Sequence, residues 1–285
     1  MIIIITIIPY HPNIINISKK SGQETEISEL LGAGKSASNS FNKVLFNTKA
    51  IEKGFIKLSD KVYMNQYEVT NVDYQKFLEN LLTSRQLDLF KSCVYDSTAW
   101  TKFYSDAYMD PMKNMYHWHP AYDMYPIVNV THLAAKQYCT WLTQQYNTQS
   151  KRKYAKVIFR LPTEKEWQYA AGSGNEKAKT YFINDEVKVE KCYLANLKYK
   201  KSADKGANFM DDGGFFTVKV DSYQSNKLGF YNMIGNVSEM INVQGLSKGG
   251  GWNSFLDESY IPLKGNYSEA NPETGFRIVM EVIEE

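Results

Sequence analysis

Apolar residues recur at helical spacing in three stretches of the chain. After Thr70, whose hydroxyl suits an N-cap, Tyr74, Phe77, Leu78 and Leu81 share one face, and this spacing predicts a helix over Asn71 to Leu82. Thr131 is a second cap, and Ala134, Tyr138, Trp141 and Leu142 predict a helix over His132 to Tyr146 with that face buried. A third, short helix opens on the capping box Thr163-Glu164-Lys165-Glu166, whose outer side chains each satisfy a first-turn donor, and stops at Gly172. Ile127 to Val130, Val157 to Leu161, Phe215 to Val220 and Phe276 to Val282 are strand candidates, set among long loops rich in Gly, Asn and Asp. Such loops cannot bury backbone polar groups unpaired, so they need fastening by metal, aromatic packing or hydrogen bonds.

Residues 1–51 have no sustained period and are rich in Ser, Asn and Lys; they read as a tail or arm before a domain over residues 52–285. Met1 to Ile8 is an apolar run of signal-peptide length without a basic flank, a cleavage site or a lipobox cysteine, and reads as a weak or truncated export signal. Pro9, Tyr10 and His11 end it long before the roughly 20 apolar residues that a membrane-spanning helix needs. Gly32-Ala33-Gly34-Lys35-Ser36 looks like half a phosphate loop, but Glu29 stands where the motif needs its first Gly, so no nucleotide site is expected.

Composition narrows the class further. With 43% apolar and 22% charged residues, the chain is globular rather than disordered or coiled-coil. Its 33 basic and 31 acidic side chains leave a net charge of +2, so Lys151 to Lys153 and Lys198 to Lys201 read as solvated loops and no nucleic-acid partner is expected. Aromatic residues reach 14%, which suits a loop-rich fold packed with large rings. Cys93, Cys139 and Cys192 are too widely spaced for a Cys-x-x-Cys motif; their number excludes a dense disulfide framework but leaves room for one bridge and a leftover thiol, in any of three pairings.

Four motifs stand in one order: Tyr67-Glu68-Val69-Thr70-Asn71; Phe159-Arg160-Leu161-Pro162-Thr163-Glu164-Lys165-Glu166-Trp167; Gly229-Phe230-Tyr231-Asn232-Met233-Ile234-Gly235-Asn236-Val237-Ser238-Glu239; and Gly249-Gly250-Gly251-Trp252 followed by Gly275-Phe276-Arg277. Over residues 62–282 they resemble the formylglycine-generating enzymes, or sulfatase-modifying factors. His119-Pro120-Ala121-Tyr122 and Tyr125 to Val130 extend the likeness toward the lipoprotein-type branch of Bacteroidetes. The resemblance implies an α+β, C-type-lectin-like domain with little regular structure and long loops, stabilised by one or two calcium ions.

Calcium takes six to eight oxygen ligands, carboxylate, amide or carbonyl. In the loop from Asn232 to Glu239 those two side chains offer oxygens, and the Gly235 and Val237 carbonyls can turn inward, in agreement with the family's second calcium site. By the same resemblance a first site uses the Asn196 side chain, the Leu197 carbonyl, Asp212 and the Gly214 carbonyl, with Asp211 as an alternative to Asp212. Without the resemblance either segment also reads as an Asx-turn loop free of metal.

The likeness breaks at the reaction centre. Active members carry two cysteines, five residues apart, that bind Cu(I) after the Gly-Gly-aromatic motif; here Ser254 and Ser259 hold those places. Cu(I) is a soft ion that selects sulfur, so no copper is expected and no catalytic residue is assigned. The family groove would then be lined by Trp252, Ser254, Ser259 and Arg277. Ile278 stands where many relatives have a cysteine that bridges to the equivalent of Cys139, so Cys139 reads as a small buried hydrophobe. Gly54 to Asp60 keeps little of the usual first strand, which suggests a partly replaced first sheet, and Met240 replaces a groove-wall Trp. His117-Trp118-His119 places two imidazoles at i and i+2, but no third ligand follows, and they read as packed loop histidines.

The expected function is a non-catalytic binding or scaffold module, calcium-stabilised, with a protein partner in an exported assembly: periplasmic, outer-membrane-associated or extracellular. Two alternatives use the same fold. One is an oxidoreductase with another metal or cofactor; the other is a carbohydrate-binding module stacking sugars on Trp252 and Tyr260.

Overall fold

The computed structural model describes residues 3–7, 15–19, 46–104, 110–175, 177–182, 188–189, 192–198 and 212–285. The phosphate-loop-like segment, Asp211 and most of the Lys198 to Lys201 run lie outside them. β1 (Ile3–Ile7) and β2 (Ile15–Lys19) pair as an antiparallel hairpin. α1 (Thr48–Lys53) is capped by Asn47 and straddles the boundary drawn at residue 51. Then come β3 (Phe55–Lys57), β4 (Val62–Asn65), α2 (Asn71–Thr83), α3 (Leu87–Cys93), α4 (Ala99–Phe103) and α5 (Asp110–Met115). A 3-10 turn at Pro120–Tyr122 leads to α6 (His132–Asn147), β5 (Lys156–Arg160) and α7 (Glu164–Ala171). The short strands β6 (Lys188–Val189), β7 (Cys192–Tyr193), β8 (Ser238–Met240), β9 (Leu246–Lys248), β10 (Gly265–Asn266) and β11 (Thr274–Phe276) precede the longer β12 (Val279–Glu284).

The three helices read from periodicity are present with their caps. Thr70 and Thr131 accept from the backbone N–H groups of Asp73 and Ala134, and Thr163 with Glu166 closes the capping box. Two four-stranded sheets carry the rest. In one, β3-β4-β12-β5 are antiparallel, with Val279 opposite Met64 on one side and Arg160 on the other. In the other, of order β10-β9-β8-β11, the β8–β11 pair is parallel and sets Gly275 beside Glu239.

Four strand expectations need correction. The first sheet is intact, because β3 and β4 form a regular hairpin beside β12. Phe276 to Val282 is two strands in two different sheets, with Arg277 at the step between them. Ile127 to Val130 is no strand: its amides bond to separate partners, Ile127 to Val69 and Asn129 to Asn271, and Asn129 has φ 61°. Phe215 to Val220 is likewise irregular, since Phe216 has φ 75° and the Val218 N–H goes to the Asn236 side chain.

The largest core lies between α2, α6 and the sheets, where Tyr74, Phe77, Tyr138 and Phe276 meet ring to ring. A second surrounds Trp167, Phe230 and Met233, and a third gathers Trp100, Tyr116, Phe216 and Trp252. Each such side chain contributes about 1.5–3 kcal/mol by leaving water. Cys93 and Cys139 are buried and Cys192 is exposed, all three as free thiols. Burial pushes the Cys139 thiol up to about 12, consistent with a packing role. Among the described residues no helix is long and apolar enough to cross a membrane.

Candidate functional site

Gly250, at φ 65°, brings Ser254 and Ser259 together. A β-carbon added to it would meet Ser259 Oγ at 2.0 Å and Ser254 Cβ at 3.1 Å, so the two serines crowd the same face of the glycine. Both hydroxyls are engaged within the loop. Ser259 Oγ donates to the Phe255 carbonyl at 2.8 Å, and Ser254 Oγ accepts from the Gly251 N–H at 3.1 Å. These hard oxygens do not fit Cu(I).

Trp252 and Arg277 do not line an open groove, which corrects the sequence expectation. The Trp252 indole is fully buried, packs on Tyr104 and Phe216 at centroid distances of 5.1 and 5.0 Å, and donates to the Pro272 carbonyl. It therefore has no face to offer a sugar, and the partly buried Tyr260 ring already has the Lys179 ammonium 5.9 Å from its centroid.

Arg277 is also fully buried and spends its donors on the framework. Its Nε and Nη2 reach the Glu239 carboxylate at 2.6–3.1 Å, and its Nη1 and Nη2 donate to the carbonyls of Asn65, Gln66 and Tyr231. Trp167 Nε1 donates to Glu239 at 2.7 Å. Burial works against the Arg277 charge, yet Glu239 beside it holds the guanidinium above its ordinary value.

Glu68 completes the cluster. It lies 4.0 Å from Arg277 and accepts from the Asn236 amide at 2.9 Å and the Asn232 amide at 3.4 Å. Burial pushes its carboxyl up to about 8, with Arg277 pulling the other way. Sequence reading missed Glu68, Asn236 and Trp167 as members of one network. Their motifs are visible in the chain, but the Glu68–Asn236 contact spans 168 residues and has no local signature.

The two cation-ligand sets differ in what their oxygens already do. In the first, Asn196 is fully buried and its Oδ1 has no hydrogen-bond partner among the described residues. A β-carbon on Gly214 would sit 3.0 Å from that oxygen and 3.1 Å from Asp212 Oδ1, so the glycine leaves a small oxygen-lined cradle. Asp212 is held there by the backbone N–H groups of Leu197 and Gly214, both at 2.8 Å. The amide oxygen and the carboxylate are hard ligands of the type calcium takes, two of the six to eight it needs.

The second set does not fit. Asn232 sits at φ 49° and turns its amide nitrogen toward Glu68 and the Val220 carbonyl. Gly235, at φ 85°, packs so tightly that a β-carbon would meet the Asn196 carbonyl oxygen at 2.4 Å. Val237 and Glu239 are fully buried, and Glu239 already receives four contacts from Arg277 and Trp167. Three N–H groups, one of them shared between both oxygens, thus already hold this carboxylate, and one of its partners carries the opposite charge.

The histidines are packed, as the sequence suggests. His117 is buried, stacks on Tyr95 at 3.9 Å and places Nε2 3.2 Å from the Val128 carbonyl. His119 Nδ1 accepts from the Ala121 N–H. Among the described residues, no group of three or more His, Cys, Asp or Glu is arranged to hold a metal.

Known proteins place this geometry. The model of the sulfatase-modifying factor enzyme 1-like domain matches residues 33–282. The formylglycine-generating enzyme of Mus musculus is 25% identical over 202 residues, which cover 63% of this chain and 48% of the mouse protein. The inactive C-alpha-formylglycine-generating enzyme 2 of Bos taurus is 29% identical over 116 residues, 40% of this chain and 32% of the bovine one. This chain thus spans about half the length, or less, of these relatives. The crystal structure of CarF superposes with a TM-score of 0.51 at 19% identity, covering 80% of this chain and 96% of that one, and shares the fold. With a matching domain model over most of its length and the same mixed helix and sheet architecture, the chain belongs to the sulfatase-modifying factor family.

Proposed function

We propose that this domain is a non-catalytic member of its family, acting as a calcium-stabilised binding or scaffold module. The observation that carries the reading is the serine pair. Ser254 and Ser259 stand where the family resemblance places the copper cysteines, and both hydroxyls are engaged inside their own loop. The nearby Tyr104, Asn253 and Glu273 side chains bond to one another and offer no soft ligand in their place. The similarity to a Bos taurus protein named as an inactive C-alpha-formylglycine-generating enzyme supports the reading.

On this reading the cradle of Asn196, Asp212 and Gly214 holds a structural calcium ion. The module is exported, and it joins a protein partner in a cell-envelope assembly. The test of the catalytic half is direct. Purified protein with Cu(I), oxygen and reductant is expected to leave a Cys-x-Pro-x-Arg peptide unchanged by mass spectrometry; conversion of the thiol to an aldehyde refutes the reading.

A further inference from the structure

Several carboxylates of this domain find their cation within the chain. Glu68 and Glu239 share Arg277, Glu166 and Glu281 share Arg160, and Glu164 takes Lys248 and Lys264. Glu273, whose carbonyl oxygen lies against Gly251 of the serine loop, has no basic partner among the described residues. The lysines nearest to it in the structure's connections are engaged elsewhere: Lys102, two residues from Tyr104, pairs with Glu269, and Lys198, whose N–H holds the Ser254 carbonyl, lies 5.5 Å from the Phe255 ring centroid. The Glu273 carboxylate is nonetheless fixed in place. Its Oε1 accepts from the Tyr104 hydroxyl and, at 3.1 Å, from the Asn253 amide, which also donates to the Tyr104 oxygen at 3.3 Å. Its backbone is held on both sides, the N–H by Asn271 Oδ1 at 3.0 Å and the carbonyl by the Ser238 N–H at 2.8 Å. Tyr104 packs on Trp252 and Phe216, and burial, with Glu273 beside it, holds its phenol above the ordinary value, so it stays a donor.

We propose that Glu273, together with Asn253, is the docking point for a primary ammonium, the side chain of a lysine on the protein partner. Two acceptors remain for it. Glu273 Oε2 and Asn253 Oδ1 have no hydrogen-bond partner among the described residues, and neither is a buried atom; both side chains are half-buried beside the half-buried Tyr104. An ammonium carries three donors and no acceptor on a rotating stem, so it can meet oxygens that come from two different side chains. A guanidinium is the poorer match, because its fork pairs best with both oxygens of one carboxylate, and Oε1 already receives two hydrogen bonds. Most exposed ion pairs contribute little because two long side chains must be ordered to form them. Here the acceptor half is ordered before the lysine arrives, which removes much of that cost.

This inference names the partner chemistry of the binding module proposed above and rests on that reading. Random peptides displayed on phage are selected against the full-length protein, and lysine-containing sequences are expected. A synthetic copy of such a peptide should bind roughly fivefold or more weakly to Glu273→Gln, and by the same factor more weakly to the unmodified protein when its lysine is replaced by norleucine. Arginine in that place should bind more weakly than lysine. Selected peptides without lysine, a lysine peptide indifferent to norleucine or to Glu273→Gln, or arginine binding as well as lysine each overturn the inference and leave the binding-module reading standing. A selection that yields no binder overturns the inference as well. The norleucine peptide needs no protein variant, so the result stands even if Glu273→Gln fails to fold. Oxidation of the Cys-x-Pro-x-Arg peptide sinks the non-catalytic reading separately, whatever the selected peptides show.

Discussion

Removing the Arg277 side chain tests the internal fastening most severely. In Arg277→Met the Glu239 carboxylate loses its ion pair in a fully buried position, and Glu68 loses the cation at 4.0 Å. Breaking a buried pair from one side costs about 3–5 kcal/mol, because an uncompensated charge remains. The Asn65 and Tyr231 carbonyls also lose donors, while Gln66 keeps the Tyr231 N–H, and each buried group left unsatisfied costs roughly 1–3 kcal/mol. Even the low end of this total, about 5 kcal/mol, reaches the whole stability of the less stable domains, which span about 5–15 kcal/mol.

The assay is urea unfolding in excess chelator, followed by tryptophan fluorescence, to which Trp167 contributes from inside the network. Arg277→Met should show no cooperative transition, or one lowered by at least about 5 kcal/mol. Arg277→Lys, which keeps the charge but lacks the planar fork, should fall between. The double variant Arg277→Met/Glu239→Leu should recover several kcal/mol over the single one, since the stranded carboxylate goes with it. A loss under about 2 kcal/mol for Arg277→Met, or a double variant no more stable than the single, would refute the reasoning.

Two further expectations follow from the same structure. Ser254→Cys/Ser259→Cys, placed against one face of Gly250, should bind about one equivalent of Cu(I) more than the unmodified chain; an equal metal content would show that the two sulfur atoms alone do not make a copper site of this loop. Burial lowers His117 to about 3, so the folded state keeps it neutral while the unfolded chain protonates it near 6.5. Between those values the unfolded state holds the extra proton, so stability rises with pH and is lost as pH falls, by up to about 1.4 kcal/mol per unit. His117→Phe should flatten that part of the stability–pH curve, and an unaltered slope would exclude His117 as its source.

The helices were legible because their signals are local. Thr70, Thr131 and the Thr163–Glu166 box cap what they precede, and the apolar spacing behind each is buried on the expected face. The family motifs and the serine pair were equally plain, since they depend on residue type and spacing in a continuous stretch. What the sequence could not decide was how distant segments share atoms. Phe276 to Val282 reads as one strand, yet it divides between two sheets because Arg277 turns inward to carbonyls and a carboxylate contributed by β4, β8 and the loops beside them.

The same limit governs the cation sites. As letters in a chain, Asn232, Gly235, Val237 and Glu239 make the better ligand set, because they lie within eight residues, while Asn196 and Asp212 are separated by an uninformative loop. In three dimensions their surroundings differ. Whether an oxygen can bind an ion depends on which donors already hold it, and those donors, Arg277 and Trp167 at Glu239 and none at Asn196 Oδ1 among the described residues, come from parts of the chain far away in sequence. Residue type and spacing thus determined the family and the serines at positions 254 and 259; only tertiary packing, which brings Arg277 and Trp167 from distant parts of the chain, decided what surrounds the Glu239 carboxylate.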